Sequence, residues 1–71
     1  MDNRVLKSEM VLHGDTIKKL AEYLDLAEQT LSRKINGKAD FTQTEMSRIR
    51  KRYDLDNETF ARIFLKEVES R

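Results

Sequence analysis

The sequence between residues 16 and 38, TIKKLAEYLDLAEQTLSRKINGK, constrains the fold more than any other stretch of the chain. Its apolar residues first recur at i, i+3, i+4 and i+7, the spacing of one helix face, at Ile17, Leu20, Ala21 and Leu24. The period breaks over residues 25–27, and a second apolar stripe follows at Ala27, Leu31 and Ile35. The stretch therefore predicts two short helices joined by a tight turn.

The second of these helices carries a different kind of surface on the side away from its apolar stripe. Short polar side chains and one arginine lie there: Gln29, Ser32 and Arg33, with Thr30 beside them. A helix that buries one side and presents such residues on the other is suited to recognising a partner. The order helix, tight turn, helix is that of a DNA-binding helix-turn-helix.

Local signals predict the ends of this helix pair. Thr16 is the preferred N-cap of the first helix, with Asp15 as the alternative, because both side chains accept hydrogen bonds from free amides. Asp25 stands where the chain leaves that helix, at a position that calls for positive φ, with an expected cost of about 1 kcal/mol. Ala27 is a poor N-cap for the second helix, and Glu28 compensates in part through the helix dipole.

Three further helices are predicted around this pair. Gly14 suits the left-handed position that ends a first helix. Thr42 and Glu45 form an S/T-x-x-E capping box at the start of a fourth helix, and Asp56 is a good N-cap for a fifth. The sequence thus predicts one compact all-α domain over residues 1–71, with five helices at about 4–13, 16–25, 28–36, 43–54 and 57–66.

The composition agrees with a small helical domain and argues against several classes of function. The 71 residues include no proline and only two glycines, so little interrupts helices. No cysteine is present, and the lone His13 near a helix end is expected to cap or pack rather than to catalyse. We therefore expect no enzyme, catalytic residue, metal site, cofactor or small-molecule substrate. Because no long apolar run exists, we also expect no membrane segment and a cytoplasmic location.

Charge is uneven along the chain although the net charge is only +1. Residues 31–53 hold seven basic and two acidic side chains, a net charge of +5, while the segments on either side are each net −2. A basic middle of this kind fits a polyanionic partner. It fits a solvated, lysine-rich surface equally well.

Several positions carry a likeness to a known family: Leu20-Ala21, Leu24, Leu26, Leu31 and the closing Ile35-Asn36-Gly37-Lys38. Over about residues 5–65 the chain resembles the lambda-repressor-like, or Cro/XRE, helix-turn-helix family. The run LAEYLDLAEQTLSRKINGK followed by DFTQTEM resembles small Cro-type and repressor-type proteins of bacteriophages and prophages. Two positions depart from the family pattern, since Asp25 replaces a usual glycine and Ile17 a common glutamine. The resemblance implies a five-helix DNA-binding domain with its helix-turn-helix at helices two and three.

The resemblance further implies that the helix at 28–36 enters the DNA major groove by its N-terminal half. The side chains expected to face base edges are Glu28, Gln29, Ser32 and Arg33. Gln29 suits adenine and Arg33 suits guanine or a phosphate, whereas Glu28 is either a cytosine contact or simply a helix-start acid. Phosphate contacts, through amides and side chains, are expected from Thr16, Lys18, Lys34, Asn36, Gly37 and Lys38. The basic residues of the fourth helix are secondary candidates or merely solvated: Arg48, Arg50, Lys51 and Arg52.

A single module of this size binds DNA weakly, so a homodimer on two half-sites of an operator is expected. The terminal helix is rich in apolar side chains that either close the core or form a dimer face: Phe60, Ile63, Phe64, Leu65 and Val68. The expected function is a sequence-specific, double-stranded-DNA-binding transcriptional regulator, namely a Cro-like repressor of phage or prophage type. The alternative is a protein-interaction module, such as an antirepressor, an antitoxin-like subunit or an adaptor, that retains the fold.

Overall fold

The computed structural model describes residues 3–65, and these form five α-helices joined by short connections, without a strand. The helices are α1 (Asn3–Leu12), α2 (Ile17–Leu24), α3 (Glu28–Ile35), α4 (Gln43–Tyr53) and α5 (Asn57–Phe64). The prediction of an all-α chain with five helices is confirmed for these residues. The observed helix ends lie within one or two residues of the predicted ones, and position 66 falls outside the described residues.

One hydrophobic core lies between the helices, and all five contribute to it. Its fully buried side chains are Leu6, Leu20, Leu31, Ile35, Ile49 and Ile63. The helix α2 packs against α3, and α1 packs against α5. Ala21 is 1% exposed, as expected for a small side chain where two helices meet closely. The stripes of the helix pair are buried as their spacing predicts at Leu20, Ala21, Leu24, Leu31 and Ile35, and Ile17 is half-buried at the margin.

Three helices begin with the side-chain caps that the sequence predicts. Thr16 Oγ1 accepts from the Lys19 amide at 3.1 Å, which decides in favour of Thr16 over Asp15. In the capping box of α4, Thr42 Oγ1 accepts from the Glu45 amide and Glu45 Oε1 accepts from the Thr42 amide. Asp56 caps α5 in the same way. The stripe prediction was wrong for Ala27, which is the exposed, uncapped start of α3 and not part of its buried face.

The first four helices end in one shared pattern, in which a residue with positive φ is followed by an amide that reaches back into the helix. The positive-φ residues are Gly14 (67°), Asp25 (61°), Gly37 (81°) and Asp54 (52°). After α2, the Leu26 amide donates to the Ala21 carbonyl at 2.8 Å, which is the Schellman arrangement. The positive φ predicted for Asp25 is confirmed, and this turn sets how α3 leaves α2.

Candidate nucleic-acid interface

The outer face of α3 is the polar surface that the sequence singled out. Glu28, Gln29 and Arg33 are exposed, and Ser32 is half-buried beside them. On the opposite face Leu31 is 0% exposed and therefore holds the helix against the core. None of the three exposed side chains has a hydrogen bond or ion pair within residues 3–65, so their polar groups are free to contact another molecule.

The segment that follows α3 differs from the prediction in how its amides are used. The Asn36 amide donates to the Ser32 carbonyl, the Gly37 amide to the Lys34 carbonyl and the Lys38 amide to the Arg33 carbonyl. In this conformation the Gly37 amide is not available for the expected phosphate contact, because that donor is engaged and glycine offers no other. The side chains of Asn36 and Lys38 are exposed and are the usable groups at this end of the helix, although Asn36 Nδ2 also donates a long hydrogen bond of 3.5 Å to Ser32 Oγ.

Lys34 is a second correction among the expected phosphate contacts. Its Nζ lies 2.6 Å from Glu45 Oε1, and the two side chains are only 12% and 13% exposed. Burial raises the pKa of Glu45, but hydrogen bonds from Lys34 and Thr42 outweigh it and hold the pKa below its usual range. Lys34 therefore fastens α3 to the start of α4 and does not present a free charge to a phosphate.

The start of α2 lies at the other side of the helix pair. Thr16 is exposed, and its hydroxyl oxygen is used as the cap of this helix while its hydroxyl hydrogen remains available. Lys18 and Lys19 are exposed nearby and form no ion pair within the described part of the chain. Thr16 and Lys18 thus keep the accessibility that a phosphate contact requires.

Arg52, one of the secondary candidates, is bound inside the protein. It donates two hydrogen bonds to Asp15, a carboxylate that is 3% exposed, and its guanidinium lies 4.6 Å from the centre of the Tyr23 ring. Tyr53 also donates to Asp15, and burial together with this carboxylate raises the Tyr53 pKa. His13 stacks on Tyr53 at 5.0 Å, which agrees with a packing role.

Two of the other three basic residues of α4 also have internal partners. Arg48 Nη1 donates to the Tyr23 carbonyl at 3.2 Å, and the Tyr23 hydroxyl donates in return to the Arg48 carbonyl. Arg50 donates to the Asn57 side chain and lies over the Phe60 ring. Only Lys51 of this group is exposed without such a partner among residues 3–65. The basic middle of the sequence is therefore in large part a set of contacts that hold the fold together.

The expected dimer face is smaller than the sequence suggested. Ile63 was wrongly included, because its side chain is 0% exposed in the core. Phe60 and Phe64 are half-buried, with their ring centres 5.1 Å apart, and Leu65 is 40% exposed. Val68 lies outside the described residues. What remains for a partner is an apolar edge formed by Phe60, Phe64 and Leu65.

Other kinds of site find no support within the described part of the molecule. Residues 3–65 contain no group of three or more His, Asp or Glu side chains placed to hold a metal ion. None of the described helices is long and apolar enough to cross a membrane. Of the surfaces described above, the outer face of α3 offers the largest set of unengaged polar side chains.

Comparisons with known proteins add nothing to this picture. No protein-family model matches the chain, and no match was found among curated proteins or solved structures. The assignment of a function therefore depends on the chain's own residues and their geometry.

Proposed function

We propose that this protein is a sequence-specific, double-stranded-DNA-binding transcriptional regulator of the Cro/XRE type, acting as a repressor in a phage or prophage. The observation that carries the proposal is the outer face of α3, where Gln29 and Arg33 are exposed and unengaged while the rest of the helix is fixed. A Schellman turn holds its start relative to α2, and the Lys34–Glu45 pair holds its end. Recognition gains from groups that a rigid element holds in advance.

The exposed side chains of α3 match the chemistry of base edges in the major groove. An amide such as Gln29 pairs with the N6 and N7 positions of adenine, and a guanidinium such as Arg33 pairs with O6 and N7 of guanine. Each good bidentate contact discriminates between bases by about 1–3 kcal/mol. Ser32 and Glu28 add weaker preferences at the neighbouring positions. We propose these four residues as the reading set.

Phosphate contacts on either side of the reading helix would fix its register on the duplex. At the start of α2 the groups are the Thr16 hydroxyl and Lys18, and after α3 they are the side chains of Asn36 and Lys38. These contacts supply affinity and orientation rather than sequence choice. Lys51 is kept as an outlying candidate, because it is exposed on α4 without an internal partner among the described residues.

A homodimer completes the proposal. One module of this size contacts a short stretch of groove, and two copies on a symmetric operator double the contacts. The apolar edge formed by Phe60, Phe64 and Leu65 is the surface on which we place the pairing. Sedimentation with and without operator DNA measures it, and Leu65→Ser, which changes a 40% exposed side chain, is the variant least harmful to the core.

The test is selection of binding sites from random duplex DNA by the full chain, followed by affinity measurements over a range of salt. We expect one recurring motif, and an affinity that falls steeply as salt rises because phosphate contacts release counterions. Arg33→Ala should relax the preference at one position of the motif, whereas Arg62→Ala, which removes an exposed arginine on α5, should leave the motif unchanged. A chain that binds no duplex even at low salt would overturn the proposal.

A protein-interaction module is the second candidate, and exposed acidic residues at the start of the reading helix favour it. Asp25 and Glu28 are both exposed there, and carboxylates near phosphates oppose DNA binding. This candidate predicts that substitutions at Gln29 and Arg33 are tolerated, while those at Phe64 or Leu65 abolish function. Arg33→Ala therefore separates the two candidates, whereas Leu65→Ser is expected to impair both.

A further inference from the structure

Asn36 and Gly37 form an Asn-Gly step at the point where α3 ends. Asparagine loses its side-chain amide readily at such a step, because glycine has no Cβ to keep the next backbone nitrogen away from the asparagine side-chain carbon. The other two asparagines of the sequence, Asn3 and Asn57, are each followed by a long charged side chain. Position 36 therefore combines the two residues that this reaction needs.

The surroundings of Asn36 in the fold leave the reacting groups open to water. Its side chain is exposed, and its Nδ2 donates one long hydrogen bond, of 3.5 Å, to Ser32 Oγ. Gly37 is exposed as well, and a Cβ placed on it has no neighbour within 4 Å outside the adjoining residues. Packing therefore does not shield this peptide bond from water, which the reaction consumes.

We propose that Asn36 is a site of spontaneous deamidation, which replaces a neutral amide at the end of α3 by a carboxylate. The Gly37 nitrogen gives up its proton and forms a bond to the side-chain carbonyl carbon of Asn36. The bond from that carbon to Nδ2 breaks, and the nitrogen leaves with the proton as ammonia. Water then opens the resulting five-membered succinimide. Opening at the side-chain carbonyl gives aspartate, and opening at the main-chain carbonyl gives isoaspartate.

The end of α3 sets how fast the folded chain reacts. The Gly37 amide donates to the Lys34 carbonyl at 3.2 Å, and the Lys38 amide donates to the Arg33 carbonyl at 2.9 Å. Asn36 has a ψ of 5°, which places the Gly37 nitrogen beside the nitrogen of Asn36 instead of beside its Cβ. Ring closure therefore requires the last turn of the helix to open. Helix ends open at a small cost in free energy, so the fold slows the reaction without preventing it.

Both products change the end of α3. A carboxylate at position 36 meets the negative end of the helix dipole, where the amide was neutral. Isoaspartate also adds a CH2 group to the main chain before Gly37, which displaces the amides of Gly37 and Lys38 from the carbonyls that they cap. The new charge stands where Asn36 was proposed to contact a phosphate, and this consequence for DNA rests on the proposed function.

The experiment follows the full chain during incubation in buffer, with mass spectrometry of its proteolytic peptides at each time point. We expect Asn36 to be converted to aspartate and isoaspartate while Asn57, which is also exposed, keeps its amide. In urea that unfolds the chain, conversion should be about 10 to 100 times faster, because the last turn of α3 no longer has to open. In the same urea, Gly37→Ala should slow it about 10-fold, since both chains are unfolded and only the added Cβ differs.

A second measurement uses the duplex motif obtained by binding-site selection. The aged chain and Asn36→Asp should each bind this duplex about fivefold more weakly than the fresh chain, because a carboxylate repels the phosphates. Asn36→Gln is the matched variant, since it keeps an amide but would have to close a slower six-membered ring. Its affinity should not change with incubation.

The mass measurement uses no DNA, so the two proposals fail separately. An Asn36 amide that lasts as long as that of Asn57 would overturn the inference. Equal rates in the folded and unfolded chain would overturn the control assigned to the end of α3. Unchanged duplex affinity after complete conversion would overturn the consequence for DNA. A fresh chain that binds no duplex would overturn the proposed function and leave the deamidation site standing.

Discussion

Arg52 donates two parallel hydrogen bonds to Asp15, from Nε to Oδ2 at 2.7 Å and from Nη2 to Oδ1 at 2.8 Å. The two residues are 37 positions apart in sequence, so this pair of hydrogen bonds joins the end of α4 to the connection between α1 and α2. Asp15 directly precedes Thr16, the cap of α2. The pair therefore fixes where the helix-turn-helix begins relative to the rest of the fold.

Removing the charge of Asp15 should cost stability. In Asp15→Asn the shape is kept, but Arg52 loses its carboxylate, and an amide NH2 that cannot accept replaces one of the two oxygens that accept from Arg52 and Tyr53. Breaking a buried pair typically costs about 3–5 kcal/mol, and because the Arg52 side chain is 29% exposed we expect about 2 kcal/mol. Urea unfolding measures the loss. Glu22→Gln, which changes an exposed carboxylate without an ion-pair partner among residues 3–65, should shift stability by less than about 0.5 kcal/mol.

The same pair makes stability depend on pH in the acid range. The Arg52 hydrogen bonds hold the pKa of Asp15 below its usual value despite burial, and Lys34 and Thr42 do the same for Glu45. A carboxylate whose pKa is lowered by folding stabilises the folded state at pH values above its unfolded-state pKa, which is about 3.9 for Asp and 4.3 for Glu. This stabilisation is lost as the pH falls through the folded-state pKa. The unfolding free energy should thus be level from pH 7 to about 5 and fall below about 4. Asp15→Asn should show a shallower fall, and an unchanged slope would contradict this account.

Glycine in place of Asp25 or Asp54, at the left-handed turns, should raise the stability of the fold. Both residues have positive φ, at 61° and 52°, where any side chain costs more than glycine. Each also places a negative charge at the unfavourable end of a helix dipole. We expect Asp25→Gly to raise the unfolding free energy by roughly 0.5–1 kcal/mol and Asp25→Ala to lower it by about 1 kcal/mol. Thermal unfolding of the parent chain, Asp25→Gly and Asp25→Ala side by side checks this order of stability. Equal stability of Asp25→Ala and Asp25→Gly would show that the turn carries no strain.

The sequence predicted well the features that depend on interactions between residues only a few positions apart. The caps at Thr16, Thr42 and Asp56 depend on amides three positions away, and the strain at Asp25 depends on its own φ. The Asp-Leu pair at 54–55 repeats the one at 25–26, and this repetition was the available signal for the second left-handed turn. Five helices follow from such signals and from apolar periodicity.

The features that the sequence did not reveal depend on how distant helices pack. Periodicity places Arg52 and Lys34 on polar faces, but it does not say that Asp15 and Glu45, in other segments of the chain, pair with them. The basic middle of the chain was therefore interpreted as surface charge when much of it is internal contact. The exposure of Val11 and Leu12 was likewise missed, because a helix of ten residues with apolar side chains on several faces leaves its orientation undetermined.

Lys34 and Lys38 offer a direct contrast between a structural and a DNA-facing lysine. Lys34→Met removes the partner of a largely buried carboxylate, so we expect a loss of about 1 kcal/mol in stability. Lys38→Met changes an exposed side chain and should leave stability within about 0.5 kcal/mol. In binding to operator DNA the order of the two variants should reverse, with the larger effect in Lys38→Met. Lys38→Met should reduce the salt slope of binding by about 1, while Lys34→Met, assayed where it is folded, should leave it unchanged.

The two readouts of this contrast are independent. Urea unfolding needs no DNA and tests the Lys34–Glu45 pair alone, whereas the salt slope tests the proposed phosphate contact of Lys38. An equal loss of slope in both variants would mean that the pair opens on DNA and that Lys34 Nζ exchanges Glu45 for a phosphate. Glu45→Gln decides that case, because it frees Lys34 in advance and should then tighten binding. If Glu45→Gln instead lowers stability and leaves the salt slope unaltered, Lys34 acts only within the fold, as its 2.6 Å contact with Glu45 indicates.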